Sequence, residues 1–130
     1  MIPQTVEILK RICGDELRTA LFSKLEADSH LNAHTGWADL ANHVCRLHIP
    51  VDIPSEGTCG VWVDGCMQIQ TPDNVICFDD SKVHRAFNYS TTSSRIVLIL
   101  DFKRPLDRIP LGTATGEHTE ELDTLLQQFK

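Results

Sequence analysis

Seven or eight short apolar segments, separated by turn signals at near-regular intervals and flanked by a helical pattern at each end, predict an all-β barrel or sandwich of jelly-roll or cupin-like type. Three observations carry this reading. Residues 75–105 contain two apolar, β-branched runs around the polar connection Asn88-Tyr89-Ser90-Thr91-Thr92-Ser93-Ser94. Gly57, Gly60, Asp64-Gly65 and Thr71-Pro72-Asp73-Asn74 divide the middle of the chain into pieces too short for helices. Along residues 44–53, Arg46 and His48 share one face while Cys45, Leu47 and Ile49 share the other, the period of a strand.

Taken in order, Thr5 caps a first helix in which Val6, Leu9, Ile12 and Cys13 form one face, with Gly14 placed to end it. A strand follows near residues 18–25, then a turn at residues 26–29. His30, Asn32 and His34 lie at period two and so share one face of a short strand that Thr35-Gly36 breaks; the stretch to Asn42 reads as a loop. Pro50 inside the strand at residues 44–53 requires an edge or a bulge there. Residues 61–63 and 67–69 are short strands. The run Val75-Ile76-Cys77-Phe78 leads through the acidic step Asp79-Asp80-Ser81 to His84, and residues 95–102 are apolar enough to be covered on both faces. Residues 103–115 read as irregular chain. A closing helix over residues 119–129 sets Leu122, Leu125, Leu126 and Phe129 on one side.

A chain of 130 residues fits one domain, residues 1–130. A formal net charge of −6 argues against non-specific nucleic-acid or anionic-membrane binding, which needs a basic surface. The five cysteines are odd in number and lack zinc-like spacing; Cys45 and Cys77, in apolar runs, read as small core residues. Residues 1–20 are too charged for a signal peptide, and no apolar run has the length of a membrane span. The expectation is a reduced, cytoplasmic domain with no nucleic-acid or membrane partner; oligomeric state is not legible.

Polar groups stand where apolar ones are expected. Arg46 and His48 interrupt a buried-looking strand, Arg95 heads the most apolar strand, and His34 and His84 flank tight turns. A buried guanidinium needs a carboxylate, and neutral imidazole suits Fe, Zn, Cu or Ni. Together they fit a metal with a di-acid ligand in a barrel mouth. Each has a bland alternative from spacing alone: a lone histidine is more often structural, Arg95 fits an ion pair with Asp79, Asp80 or Asp101, and Asp79-Asp80 fits a turn that caps backbone N–H groups. His43 and His118 stay in the bland class.

The segments FSKLEADSHLNAHTG, RLHIPVDIP, VICFDDSKVHRAFN and RIVLILDFKRP, covering residues 18–105, resemble the catalytic domain of the aspartyl/asparaginyl β-hydroxylases, Fe(II)- and 2-oxoglutarate-dependent oxygenases of double-stranded β-helix fold. His-Thr-Gly paired with Phe-Asp-Asp-Ser-x-x-His, and an arginine beyond it, is the specific part of the match. The resemblance implies that His34 and His84 are the metal ligands, with Gly36 where the usual facial-triad carboxylate stands and water in its place. It implies that Arg95, assisted by Ser23, grips the distal carboxylate of 2-oxoglutarate, and that Arg46 and His48 contact its chelating end. Asp79 or Asp80 would support the ligand histidines. Catalysis would then rest on His34, His84 and Arg95, with O2 and 2-oxoglutarate converted to succinate and CO2 as a carbon of an Asp/Asn-like, peptidyl, small-molecule or lipid acyl substrate is hydroxylated. The loops before Arg46 and Arg95 are longer than the family pattern. Pro50 replaces an expected glycine, and Asp-Phe-Lys-Arg-Pro replaces Asp-Val-Trp-His-Pro. Two readings compete: a cosubstrate-free cupin-type metal enzyme, in which His30 or His48 also coordinates, and a non-catalytic small-molecule binding protein.

Overall fold

The computed structural model describes residues 3–54 and 57–116. Helix α1 (Pro3–Cys13) and a single 3-10 turn (Gly14–Glu16) lead into strand β1 (Leu17–Leu25). There follow β2 (Ser29–His30), α2 (Ala38–Ala41), β3 (Val44–Asp52), β4 (Cys59–Val63), β5 (Cys66–Ile69), β6 (Ile76–Phe78), β7 (His84–Asn88) and β8 (Arg95–Lys103). The strands form two four-stranded antiparallel sheets, a large one in the order β1-β8-β3-β6 and a small one in the order β2-β7-β4-β5. This is the jelly-roll, cupin-like double-stranded β-helix that the sequence predicts.

The large sheet is covered on both sides. Leu9 and Cys13 of α1 pack on its outer face against Leu17, Ala20 and Leu100, with Leu47, Leu98 and Phe102 beside them. Its inner face contributes Val97 and Ile99, packed with Ile53 and Leu21. Double coverage is why β8 reads as apolar at nearly every position. Ile12 was expected on the buried side of α1 but is 76% exposed, since the stripe set by Leu9 and Cys13 leaves it turned about 100° away. Between the sheets, Val61 of β4 meets Ile76 and Phe78 of β6. Pro50 falls at a bulge between Pro50 and Asp52, beyond the reach of β6, which pairs only with Arg46, Leu47 and His48.

Four expectations need correction. The strand carrying His30 ends there, and His34 instead forms an isolated bridge with His84. The stretch read as a loop before Asn42 contains α2, whose N-cap Trp37 makes no side-chain cap. Residues 84–88 are a separate strand in the small sheet, so the Asp79-Asp80-Ser81 step carries the chain from one sheet to the other. Cys45 is only half-buried and Cys77 is exposed. The inner face of β3 belongs to Arg46 and His48, which turns its intervening apolar residues outward. The predicted helix over residues 119–129 lies outside the described residues. No helix among the described residues is long and apolar enough to cross a membrane.

Candidate functional site

His34 and His84 face each other across the isolated bridge, each donating its backbone N–H to the other's carbonyl at 2.9 Å. That pairing sends both side chains to the same side, with ring centroids 4.5 Å apart and planes tilted by 58°. Each ring is also fixed at Nδ1, which meets the carbonyl two residues earlier: Asn32 O at 2.6 Å and Lys82 O at 2.7 Å. A carbonyl only accepts, so Nδ1 carries a proton, which leaves Nε2 as the nitrogen that a metal would take. His84 is buried and His34 exposed, which puts the pair at a mouth.

Asp80 is the acid nearest this pair. Its Oδ1 lies 3.2 Å from His84 Nε2 and 2.9 Å from Arg46 Nη1. Burial alone would raise its pKa, but contact with His84 and the charge of Arg46 outweigh that and hold it below the usual carboxylate range. Gly36 makes room for this carboxylate: a Cβ on residue 36 would sit 2.0 Å from Asp80 Oδ2. The Gly36 N–H donates to the Asp80 carbonyl at 2.9 Å. Asp79 turns elsewhere and pairs with Arg104 at 2.5 Å.

Arg46 has a carboxylate beside every nitrogen, although Asp80 Oδ1 accepts no hydrogen bond. Nε and Nη2 form a bidentate bond to Asp101 at 2.8 and 2.9 Å, while Nη1 meets Asp80. Thr19 Oγ1 donates at 2.5 Å to Asp101 Oδ2, the oxygen that also accepts from Arg46 Nη2. Burial would lower the pKa of Arg46, but the two carboxylates raise it beyond its ordinary value. His48, buried in contact with the edge of Phe78, is pushed down to about 3 by burial and by the charges of Arg46 and Arg95, so it is neutral; its Nδ1 has no hydrogen-bond partner.

Arg95 differs from the half-buried Arg46 and from the buried Arg104. It is 2% exposed, donates from Nη2 to Ser23 Oγ at 2.9 Å, and leaves Nε without a partner. Asp79 is taken by Arg104, and Asp80 and Asp101 by Arg46, so the ion pairs that spacing allowed for Arg95 do not form. Among the described residues no carboxylate lies within ion-pair distance of it. Burial lowers its pKa from the ordinary arginine value, yet a guanidinium stays charged. A buried cation without an anion is a receptor for one.

All six sequence-predicted residues, Ser23, His34, Arg46, His48, His84 and Arg95, open onto one cavity whose remaining wall is apolar, including Leu31, Val61 and Ile99. The donor set fits a two-histidine metal with an acid ligand beside it. Among the described residues no set of three His, Cys, Asp or Glu side chains converges as a metal cage, and His30 is exposed on β2. Sequence reasoning missed Thr19 and named Asp101 only as a candidate partner of Arg95, whereas the structure pairs it with Arg46.

Residues 1–105 match the family model described as aspartyl/asparaginyl beta-hydroxylase. An ornithine lipid ester-linked acyl 2-hydroxylase from Rhizobium tropici is 35% identical over 105 residues, 80% of this chain and 35% of the relative. The chain thus spans about a third of that relative's length. Among solved structures, a 2OG-Fe(II) oxygenase-family oxidoreductase from Burkholderia pseudomallei superposes with a TM-score of 0.54 at 14% identity, over 78% of this chain and 48% of that one. A nickel complex of a non-heme monooxygenase gives 0.54 at 12% identity, over 98% and 67%. A predicted oxalate decarboxylase from Thermotoga maritima gives 0.50 at 14%, over 73% and 74%. Such distant likenesses speak to the fold.

Proposed function

This chain belongs to the aspartyl/asparaginyl β-hydroxylase family, and from that premise we propose that it is an Fe(II)- and 2-oxoglutarate-dependent hydroxylase. His34 and His84 hold the metal through Nε2, in the tautomer that Asn32 O and Lys82 O impose. Asp80 stands beside the His84 nitrogen, in the space that Gly36 leaves open, and would support that ring as a metal ligand. Arg95 and Ser23 take the distal carboxylate of the cosubstrate. His48 offers its unpartnered Nδ1 toward the chelating end, and Arg46 contributes there through the nitrogen it shares with Asp80. When bound, iron with 2-oxoglutarate and O2 supplies the oxidising power that yields succinate, CO2 and a hydroxylated substrate carbon. The protein's own share is to orient the di-acid and to leave one side of the metal open.

The observation that carries this reading is the buried Arg95 guanidinium, which faces the same cavity as both histidines and has no acid of its own among the described residues. Two arms test it. Conversion of 2-oxoglutarate to succinate by the Fe(II)-loaded protein should be lost in Arg95→Ala and, separately, in His84→Ala. Wild-type turnover in either variant overturns the assignment. For the substrate, the name of the Rhizobium relative supports an ester-linked acyl chain over an Asp/Asn-like peptide. Oxygen consumption stimulated by an ester-linked acyl lipid and not by the peptide is the expected result; the reverse would move the substrate to a peptidyl side chain.

A further inference from the structure

Arg104 lies just past the end of β8 and does not line the cavity, yet it is 2% exposed and every arm of its guanidinium is used. Nε donates to Val44 O at 3.2 Å, Nη1 to Pro110 O at 2.8 Å, and Nη2 to both Ala41 O at 3.1 Å and Asp79 Oδ1 at 2.5 Å. Three of these acceptors are backbone carbonyls that a structural clamp would take. The fourth belongs to the turn between β6 and β7.

That turn touches His84 directly and reaches the His34 segment through Gly36. Asp79 Oδ1, besides accepting from Arg104, accepts from the Ser81 N–H at 2.9 Å and the Ser81 hydroxyl at 2.6 Å, and the Asp79 carbonyl accepts from the Lys82 N–H at 3.1 Å. The turn is thereby fixed at its first residue. Its other groups face the site: Lys82 O takes the His84 Nδ1 proton, the Asp80 carboxylate meets His84 Nε2, and the Asp80 carbonyl holds the Gly36 N–H behind His34.

We propose that Arg104 is a positioning residue for the metal centre, acting through Asp79 to fix the turn of residues 79–82 and with it the orientation of His84 and the seat of Asp80. The proposal rests on the two-histidine reading above and adds to it a strut running from outside the cavity. Outer groups that orient metal ligands commonly contribute 10- to 100-fold in metal affinity. A clamp that served only the fold would leave the ligand field untouched.

Co(II) titrated into the metal-free protein reports affinity and, through its visible absorption band, ligand geometry. Asp79→Ala takes the carboxylate from Arg104 and from Ser81 at once, while Arg104 keeps its three carbonyls. It should fold with a lowered melting temperature, since a buried guanidinium loses its acid, bind Co(II) about 10-fold more weakly and shift the band. Arg104→Gln, which leaves the Asp79–Ser81 bonds in place, should also weaken Co(II) binding and shift the band, and the double variant should bind no more weakly than Asp79→Ala alone, since both changes cut one path. If Arg104→Gln fails to fold, Asp79→Ala carries the test. Unchanged affinity and an unchanged band in folded Asp79→Ala overturn the strut. His34→Ala separates this failure from the deeper one: Co(II) binding that survives His34→Ala overturns the two-histidine site and the strut together.

Discussion

Arg46 and Arg95 lie on neighbouring strands of one sheet, both turned inward, the first half-buried and the second buried, and their surroundings are opposite. At one end of β8, Arg46 has its fork closed by Asp101 and its remaining nitrogen against Asp80. At the other, Arg95 has a single hydroxyl and an empty Nε. A buried cation completed by its own chain belongs to the architecture. One left incomplete reduces the stability of the apo-fold and is explained by a ligand that completes it.

Exchanging each arginine for methionine gives the strongest contrast. Arg46→Met strands Asp101 and Asp80 without their cation and should lower unfolding free energy by about 3–5 kcal/mol in denaturant titration. Arg95→Met removes an unpaired charge, so stability should hold or rise while calorimetric binding of 2-oxoglutarate disappears. Equal losses of stability in both variants would erase the distinction. Next in size is the acid limb. Both cations, together with burial, hold His48 neutral down to about pH 3, against about 6.5 in an unfolded chain. The unfolded state therefore binds the extra proton, and the His48 contribution is complete above pH 6.5 and lost as pH falls toward 3. Between pH 6.5 and 5, above the range where carboxylates titrate, stability should fall by up to about 1.4 kcal/mol per unit, and His48→Gln should flatten that slope.

Gly36→Ala bears on the completed end alone. Its methyl group meets Asp80 Oδ2 and must push that carboxylate away from Arg46, at about 1–3 kcal/mol of stability. An unchanged melting temperature would mean that Asp80 is not seated as described. The smallest effect is expected from Ser23→Ala at the open end, about 1 kcal/mol in cosubstrate affinity with no loss of stability. A larger loss of stability than of affinity would make Ser23 part of the fold instead.

How much of this was legible follows from the same contrast. His34, His84 and Arg95 stood out because motif and spacing mark them, and the strand period of residues 44–49 put Arg46 beside His48. What saturates Arg46 was hidden, since Asp101 sits in an apolar run and gives no hint that its side chain turns inward between Thr19 and Arg46. β7 was missed because a five-residue strand with Arg85 on its outer face has too little periodicity to declare itself. Arg104 did leave a trace, as the departure from the family's Trp-His-Pro ending. Nothing local in the sequence says that its guanidinium points back to Asp79.

Thr19, Asp101 and Arg46 occupy directly opposed positions on β1, β8 and β3. That rung of polar groups pins three strands in alignment, because sliding any of them by one residue would turn a charge or its partner to the wrong side. The chain consequently carries two kinds of memory. A descendant that gave up its chemistry could discard Arg95 without penalty, whereas the Thr19–Asp101–Arg46 rung would be retained for as long as the barrel itself persisted.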